Sequence, residues 1–152
     1  MARSEFKLSP AVRSQVKELA AMVKEFHRED SIHFQQKKVE AALRELIQDK
    51  CSGRVWVIAA GGSMIGYVIL TYGFSMEFHG RDGLLDEFFI RKPWRGAGIG
   101  RKVLREVLGY ARKDGLTAIH LEVSAKKKNV ERFYESMGFE VRDYYHLASK
   151  WL

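Results

Sequence analysis

Leu84-Leu85-Asp86-Glu87-Phe88-Phe89-Ile90, followed four residues later by Arg95-Gly96-Ala97-Gly98-Ile99-Gly100, is the stretch that decides how this chain folds. An apolar run of seven residues reads as a strand. The glycines read as a turn, and residues 98–114 read as a helix with Ile99, Val103, Leu104, Val107, Leu108 and Ala111 on one face and Gly115 as its stop. Strand, glycine-rich turn and helix start together predict a phosphate-binding site. Side chains at Gly96, Gly98 or Gly100 would hold the turn's backbone N–H groups away from phosphate oxygens, and the following helix directs its partial positive end at the same place.

Spacing excludes the two commonest turns of this kind. A dinucleotide fingerprint requires a third glycine where Arg101 stands, and a P-loop requires Gly-Lys followed by Ser or Thr, whereas Gly100 precedes Arg101, Lys102 and Val103. The stretch resembles instead the acetyl-coenzyme A signature of the GNAT family of N-acetyltransferases, (Arg or Gln)-x-x-Gly-x-(Gly or Ala), met at Arg95, Gly98 and Gly100. A second signature of that family, Phe-Tyr on a short helix that ends in Gly-Phe, is met at Phe133-Tyr134 and Gly138-Phe139. The motifs cover residues 53–152, and the N-terminal third agrees in general pattern. Residues 85–90 with residues 95–100 look most like the diamine (spermidine/spermine) branch. Many relatives carry Asn six residues before the Phe of Phe-Tyr, where this chain has Lys127.

The remaining elements follow from periodicity and turn residues. Residues 5–8 read as a first strand. Ser9-Pro10 read as the cap and first-turn proline of a helix with Val12, Val16, Leu19, Val23 and Phe26 on one face. Residues 26–34 read as a loop, and Val39, Ala42, Leu43, Leu46 and Ile47 mark a second helix. Gly61-Gly62-Ser63 joins residues 55–60 and 64–72 as an antiparallel hairpin. Residues 118–123 are expected to run parallel to residues 84–90, because a helix connects them. Residues 129–137 form the last helix, and residues 139–143 and 146–152 are expected to pair as a closing hairpin. The fold class is therefore α/β, a central mixed sheet with helices on both faces. The resemblance makes it a GNAT-like acyl-CoA N-acyltransferase fold whose strands 84–90 and 118–123 splay apart.

Composition limits the function classes. The chain has 152 residues, 46% of them hydrophobic, which suits a single domain over residues 1–152. No apolar stretch reaches the roughly 18 residues of a membrane span, and Met1-Ala2-Arg3-Ser4-Glu5 lacks a signal-peptide core, so a cytoplasmic protein without membrane association is expected. The single Cys51 forms no internal disulfide, and no His or Cys pair has metal-ligand spacing, so no metal is expected. The formal charge of +7 is spread over both halves without a zinc-finger, RNP or basic-tail pattern, which disfavours nucleic acid. Arg91, Lys92, Arg95, Arg101, Lys102 and Arg105 nonetheless gather round the glycine turn, and coenzyme A carries a pyrophosphate and a 3′-phosphate for such a rim. Lys126-Lys127-Lys128 reads either as a further phosphate contact or as a plain surface loop.

The resemblance implies transfer of the acetyl group of acetyl-CoA to a primary amine by direct attack in a ternary complex. Its implied donor site comprises Phe88, Phe89, Ile90, Arg95, Gly96, Ala97, Gly98, Ile99, Gly100, Arg101 and Lys127. An amine near pKa 10 is about one part in a thousand nucleophilic at pH 7, so a base helps. Asp86 and Glu87 are the candidates, and strand alternation lets only one face the acceptor; Asp86 holds the position where the diamine branch has Glu. By family position Tyr134 is the acid that protonates the departing thiolate. His27, His33, His79, His120 and His146 are scattered and read as structural. Glu29, Asp30 and Asp82 near the acceptor side would suit a cationic amine such as a polyamine, or are surface residues. A peptide or protein amine, an amino acid and an aminoglycoside-like amine stay open as acceptors. Outside enzymes, a non-catalytic CoA-binding or nucleic-acid-binding module stays open. The family also implies a homodimer.

Overall fold

Residues 55–60 and 64–70 are apolar almost without interruption, and such strands are stable only where both faces of a sheet are covered. The computed structural model, which describes residues 5–151, shows this arrangement. Strands β1 (Lys7–Pro10), β2 (Gly53–Ala60), β3 (Ser63–Ser75), β4 (Gly80–Ile90) and β5 (Ala118–His120) lie in the order β1-β2-β3-β4-β5. Neighbours among the first four are antiparallel, and β5 runs parallel to β4. Helices α1 (Val16–Glu29) and α2 (Gln36–Gln48) precede β2, α3 (Ile99–Lys113) crosses from β4 to β5, and α4 (Lys128–Glu135) follows.

Alternate residues of each strand go to opposite layers. Val55 and Val57 of β2, Tyr67 and Ile69 of β3 and Phe89 of β4 pack with Val16, Leu19, Ala20, Val23 and Leu43 of α1 and α2. Trp56, Ile58, Val68 and Leu70, one residue out of step, are also buried. The Trp56 ring meets Tyr110 of α3 at 5.7 Å, and Ile99, Val103, Leu104, Val107 and Ala111 bury the inner face of α3. Helices thus cover both faces, and the expected mixed sheet with a parallel crossover is the fold observed.

Four local readings need correction. Ser9 and Pro10 belong to β1, opposite Val57 and Trp56, where a proline at the end of an edge strand loses no needed donor. The helical region begins instead at a short 3₁₀ turn, Arg13–Gln15, where the Gln15 side chain accepts the Val12 N–H at 2.9 Å. Residues 26–29 are helical rather than loop, because α1 runs on past Val23 to Glu29 with Phe26 packed against the core; Ser31, with φ of 55°, follows the end. β4 starts at Gly80, earlier than expected, and β5 covers only residues 118–120. Residues 139–151 form no closing hairpin. Their apolar residues Val141, Tyr144, Tyr145, Leu147 and Trp151 are exposed, and two strands without a packed face are marginal in water. Leu152 and residues 1–4, which carried part of the leader reading, lie outside the described residues.

The chain divides into two compact units, Met1–Leu121 and Glu122–Leu152. The sheet with α1, α2 and α3 belongs to the first, and α4 to the second. Among the described residues no helix is long and apolar enough to cross a membrane.

Candidate active site

The glycine turn adopts a conformation that only glycine takes readily. Gly96 and Gly98 have φ of 81° and 78°, and Gly98 is the N-terminal cap of α3. A Cβ at either would meet no atom within 4 Å, so backbone conformation rather than packing calls for glycine here. Ile99, Gly100 and Arg101 form the first turn of α3, whose N–H groups have no intrahelical acceptor and carry the positive end of the helix dipole. Ala97 lies between the two left-handed glycines.

Two arginines fasten this turn. Arg95 donates from Nε to the Ile90 carbonyl at 2.5 Å, pairs with Glu29 at 3.0 Å and stacks 5.3 Å over the Phe89 ring. Arg91 pairs with Glu25 at 2.8 Å and donates to the Met64 carbonyl at 3.0 Å. The signature arginine is therefore a strut between β4 and α1. Lys102 and Arg105 stand exposed on the outer face of α3. Glu29, expected near the acceptor, is committed to Arg95, and Asp82 pairs with His120 at 3.2 Å.

β4 carries an irregularity at the carboxylates. Its register sets Leu85 opposite Leu70 and Glu87 opposite Ile69, so Asp86 has no partner on β3 and is a bulge. The bulge breaks the alternation that let only one of the two acids face a given side, and both lie within electrostatic reach of His27. Glu87 is only 13% exposed; its Oε1 lies 2.5 Å from His27 Nε2, and its Oε2 accepts the Tyr67 hydroxyl at 2.7 Å. Burial raises the Glu87 carboxyl above the ordinary carboxylate range, against the opposing pull of Tyr67 and His27. Asp86 is exposed at the bulge, yet the surrounding protein displaces enough water to raise its carboxyl as well, again opposed by His27. The ladder between β4 and β5 ends at Leu84 and His120, while β4 continues through Phe88, Phe89 and Ile90.

In the second unit, Tyr134 sits on α4, edge-on to Phe133 at 5.1 Å and to Phe139 at 5.5 Å. The chain turns back there through Gly138, with φ of 89°, and the Met137 and Phe139 N–H groups donate to the Tyr134 carbonyl at 2.9 and 3.1 Å. Burial pushes the Tyr134 phenol up to about 12. Lys127 is the N-terminal cap of α4; its N–H donates to the Ser124 carbonyl at 2.8 Å.

Comparison with known proteins identifies the family: the model of the acetyltransferase (GNAT) family matches residues 19–139. The chain belongs to the GNAT family. It is 24% identical over 115 residues to an uncharacterised N-acetyltransferase of Methanocaldococcus jannaschii, covering 75% of this chain and 51% of that one. It is 27% identical over 78 residues to the thialysine N-ε-acetyltransferase of Bos taurus, covering 51% of this chain and 45% of that one. The chain thus spans about half the length of these curated relatives. Among solved structures, an integron cassette protein from a salt-marsh metagenome superimposes with a TM-score of 0.83 at 30% identity, over 95% of this chain and 90% of that one. A predicted acetyltransferase of Clostridium acetobutylicum, solved with acetyl-CoA, superimposes with a TM-score of 0.79 at 16% identity, over 95% and 96%.

Two residues that meet Glu87 carry little signal in the sequence. His27 continues the stripe of Val16, Ala20 and Val23 at helical spacing, a signal hidden by ending the helix at Phe26. Tyr67 was visible only as an apolar strand residue, and its hydroxyl finds Glu87 through strand pairing, which spacing along the chain does not record.

Proposed function

We propose that this chain is an acetyl-CoA-dependent N-acetyltransferase for the primary amine of a small cationic molecule, of the diamine or thialysine type. The observation that carries the reading is the pairing of features on one strand: β4 bears a bulged carboxylate pair, and its end leads into a left-handed glycine turn at the start of α3. The open space before Gly96 and Gly98 suits an oxyanion group, and Lys102 and Arg105 add positive charge nearby. Bound acetyl-CoA supplies an acetyl thioester. Backbone groups of Phe88, Phe89 and Ile90, beyond the last β5 pairing, are available to its pantetheine arm.

Raised carboxyls suit a base that works near neutral pH, because a base is most effective with a pKa close to the working pH. Asp86, unpaired at the bulge, takes the proton of the acceptor ammonium, and Glu87 adds negative charge that favours a cationic acceptor over a neutral one. Tyr134, whose phenol stays protonated throughout the neutral range, delivers a proton to the leaving sulfur. The relative that acts on thialysine supports an amine on a short cationic chain. The cytoplasmic site, the homodimer and the single functional domain belong to the same proposal.

The test is a free-thiol release assay with acetyl-CoA against spermidine, thialysine, an aminoglycoside and a peptide N-terminus. Small cationic amines are expected to lead, with kcat/KM at least about tenfold above the peptide, a difference of about 1.4 kcal/mol in transition-state binding. A peptide that outpaces them would move the acceptor to protein amines. Absence of any thermal response to acetyl-CoA, with a salt-dependent shift on DNA, would replace the enzyme with a nucleic-acid-binding module.

A further inference from the structure

The acetyl-transfer reading assigns no role to the buried contact of α1 with β4. His27 stands in the last turn of α1, with its side chain 12% exposed and its ring between Phe26 at 5.9 Å and Phe34 at 6.1 Å. Nothing in the packing of an apolar helix requires a histidine at this point. Its Nε2 faces Glu87 Oε1 at 2.5 Å, and Tyr67, 0% exposed, donates to Oε2 at 2.7 Å. Each oxygen of Glu87 is therefore held by a different element, α1 on one side and β3 on the other. Among the described residues the other ring nitrogen, Nδ1, is buried without a hydrogen-bond partner. Nε2 is thus the ring nitrogen that meets the carboxylate, and Nδ1 faces the packed interior.

We propose that His27 is a positioning residue for acetyl transfer: with Tyr67 it locks Glu87 in place beside the bulge, which leaves Asp86 as the carboxylate that meets the acceptor amine. The proposal rests on the transfer reading above. Glu87 cannot serve an incoming ammonium as a mobile base while both its oxygens are bound. Asp86, one residue away and without a strand partner, has that freedom, and His27 opposes the accumulation of two negative charges on adjacent residues. The other charged groups around the cluster are already matched: Glu25 by Arg91, and Glu29 by Arg95. From α2 the neighbouring contacts are the apolar Val39, Leu43, Leu46 and Ile47.

The test compares His27→Phe, which keeps an aromatic ring between Phe26 and Phe34 but removes the donor, with His27→Gln, which returns a donor near the Nε2 position. His27→Phe is expected to lower kcat on the best amine by about ten- to a hundredfold, the effect of loosening a reacting group, and to move the acidic limb of the pH–rate profile to higher pH. The acetyl-CoA thermal shift should not change, and His27→Gln should recover most of the turnover. Carbon-13 titration of the Asp86 and Glu87 carboxyls in the free protein supplies a readout independent of turnover: both midpoints should rise in His27→Phe. A His27→Phe protein with normal kcat and unmoved carboxyls overturns the proposal, as does a His27→Gln protein as defective as His27→Phe. Should His27→Phe fail to fold, Tyr67→Phe removes the opposite donor and must shift the acidic limb the same way. If acetyl-CoA itself gives no response, the transfer reading fails, and the carboxyl titration still decides whether His27 controls the pair.

Discussion

Gly98→Val separates the two things a left-handed glycine can do, because the structure offers an internal control for it. Gly98 has φ of 78° with nothing within 4 Å of the place a Cβ would take, and Gly115, at the other end of α3, has φ of 77° with the same open surroundings. A β-branched residue forced into this region costs about 1–2 kcal/mol. For a chain of this size each kcal/mol moves the melting temperature by about 2–4 °C, so Gly98→Val and Gly115→Val should each melt about 2–8 °C lower than the parent. In the absence of ligand the two variants should be indistinguishable.

Ligand separates them. Acetyl-CoA at about a hundred times its Kd adds about 2.7 kcal/mol, or about 5–11 °C. Gly115→Val should show that rise in full. Gly98→Val should show none, since two methyl groups would stand before the first-turn N–H groups of α3 that the phosphate requires. Differential scanning fluorimetry with and without millimolar acetyl-CoA reads both quantities on the same samples. A full ligand response in Gly98→Val would refute the phosphate assignment of the turn, and loss of the response in both variants would trace it to α3 as a whole.

Four further outcomes follow from the same structure. Tyr134→Phe keeps the ring between Phe133 and Phe139 and removes only the hydroxyl, so turnover should fall about a hundredfold or more with acetyl-CoA binding nearly unchanged; near-normal turnover under chemistry-limited conditions would reassign the proton donor. The Asp86–Glu87 pair is raised in the folded state, so activity should fall as pH drops through a midpoint above the ordinary carboxylate range. Stability should move the opposite way: the folded pair holds protons that the unfolded chain has lost, so folding weakens as pH rises between the unfolded and folded midpoints, which pH-dependent denaturation would detect. Gly66→Ala should destabilise more than Gly98→Val despite its smaller side chain, by about 1–3 kcal/mol or more in urea unfolding, because its Cβ would land on the Phe89 carbonyl oxygen of β4.

The contrast between Gly66 and Gly98 shows which parts of the molecule the sequence discloses. The turn was legible because its constraint is local: positive φ and helix-start N–H groups are properties of consecutive residues, and Gly96, Gly98 and the onset of α3 stand where spacing put them. The sheet was legible for a similar reason. Apolar runs on β2, β3 and β4 state that both faces are covered, and the glycine-bounded helix between β4 and β5 compels the parallel pairing at Asp82 to Leu84. Gly66 carries no such local mark. Its constraint is the carbonyl of a residue twenty-three positions away.

The same distinction applies to the carboxylates. Alternation along a strand is a local rule, and it divided Asp86 from Glu87; the bulge that cancels it arises from the register of β4 against β3, a relation between two segments. His27 and Tyr67 converge on Glu87 from α1 and β3, so this cluster is assembled from three elements that lie apart in the chain. The failed closing hairpin is the converse case, since the alternating apolar residues at 139–151 supply the local pattern of strands without a paired neighbour to make it hold. A backbone phosphate cradle can thus be read from one contiguous motif, whereas the tuning of a catalytic carboxylate depends on which distant side chains reach it. That is why the glycine turn is visible in the residues themselves, and why the Glu87 cluster becomes arguable only once α1 is seen against β4.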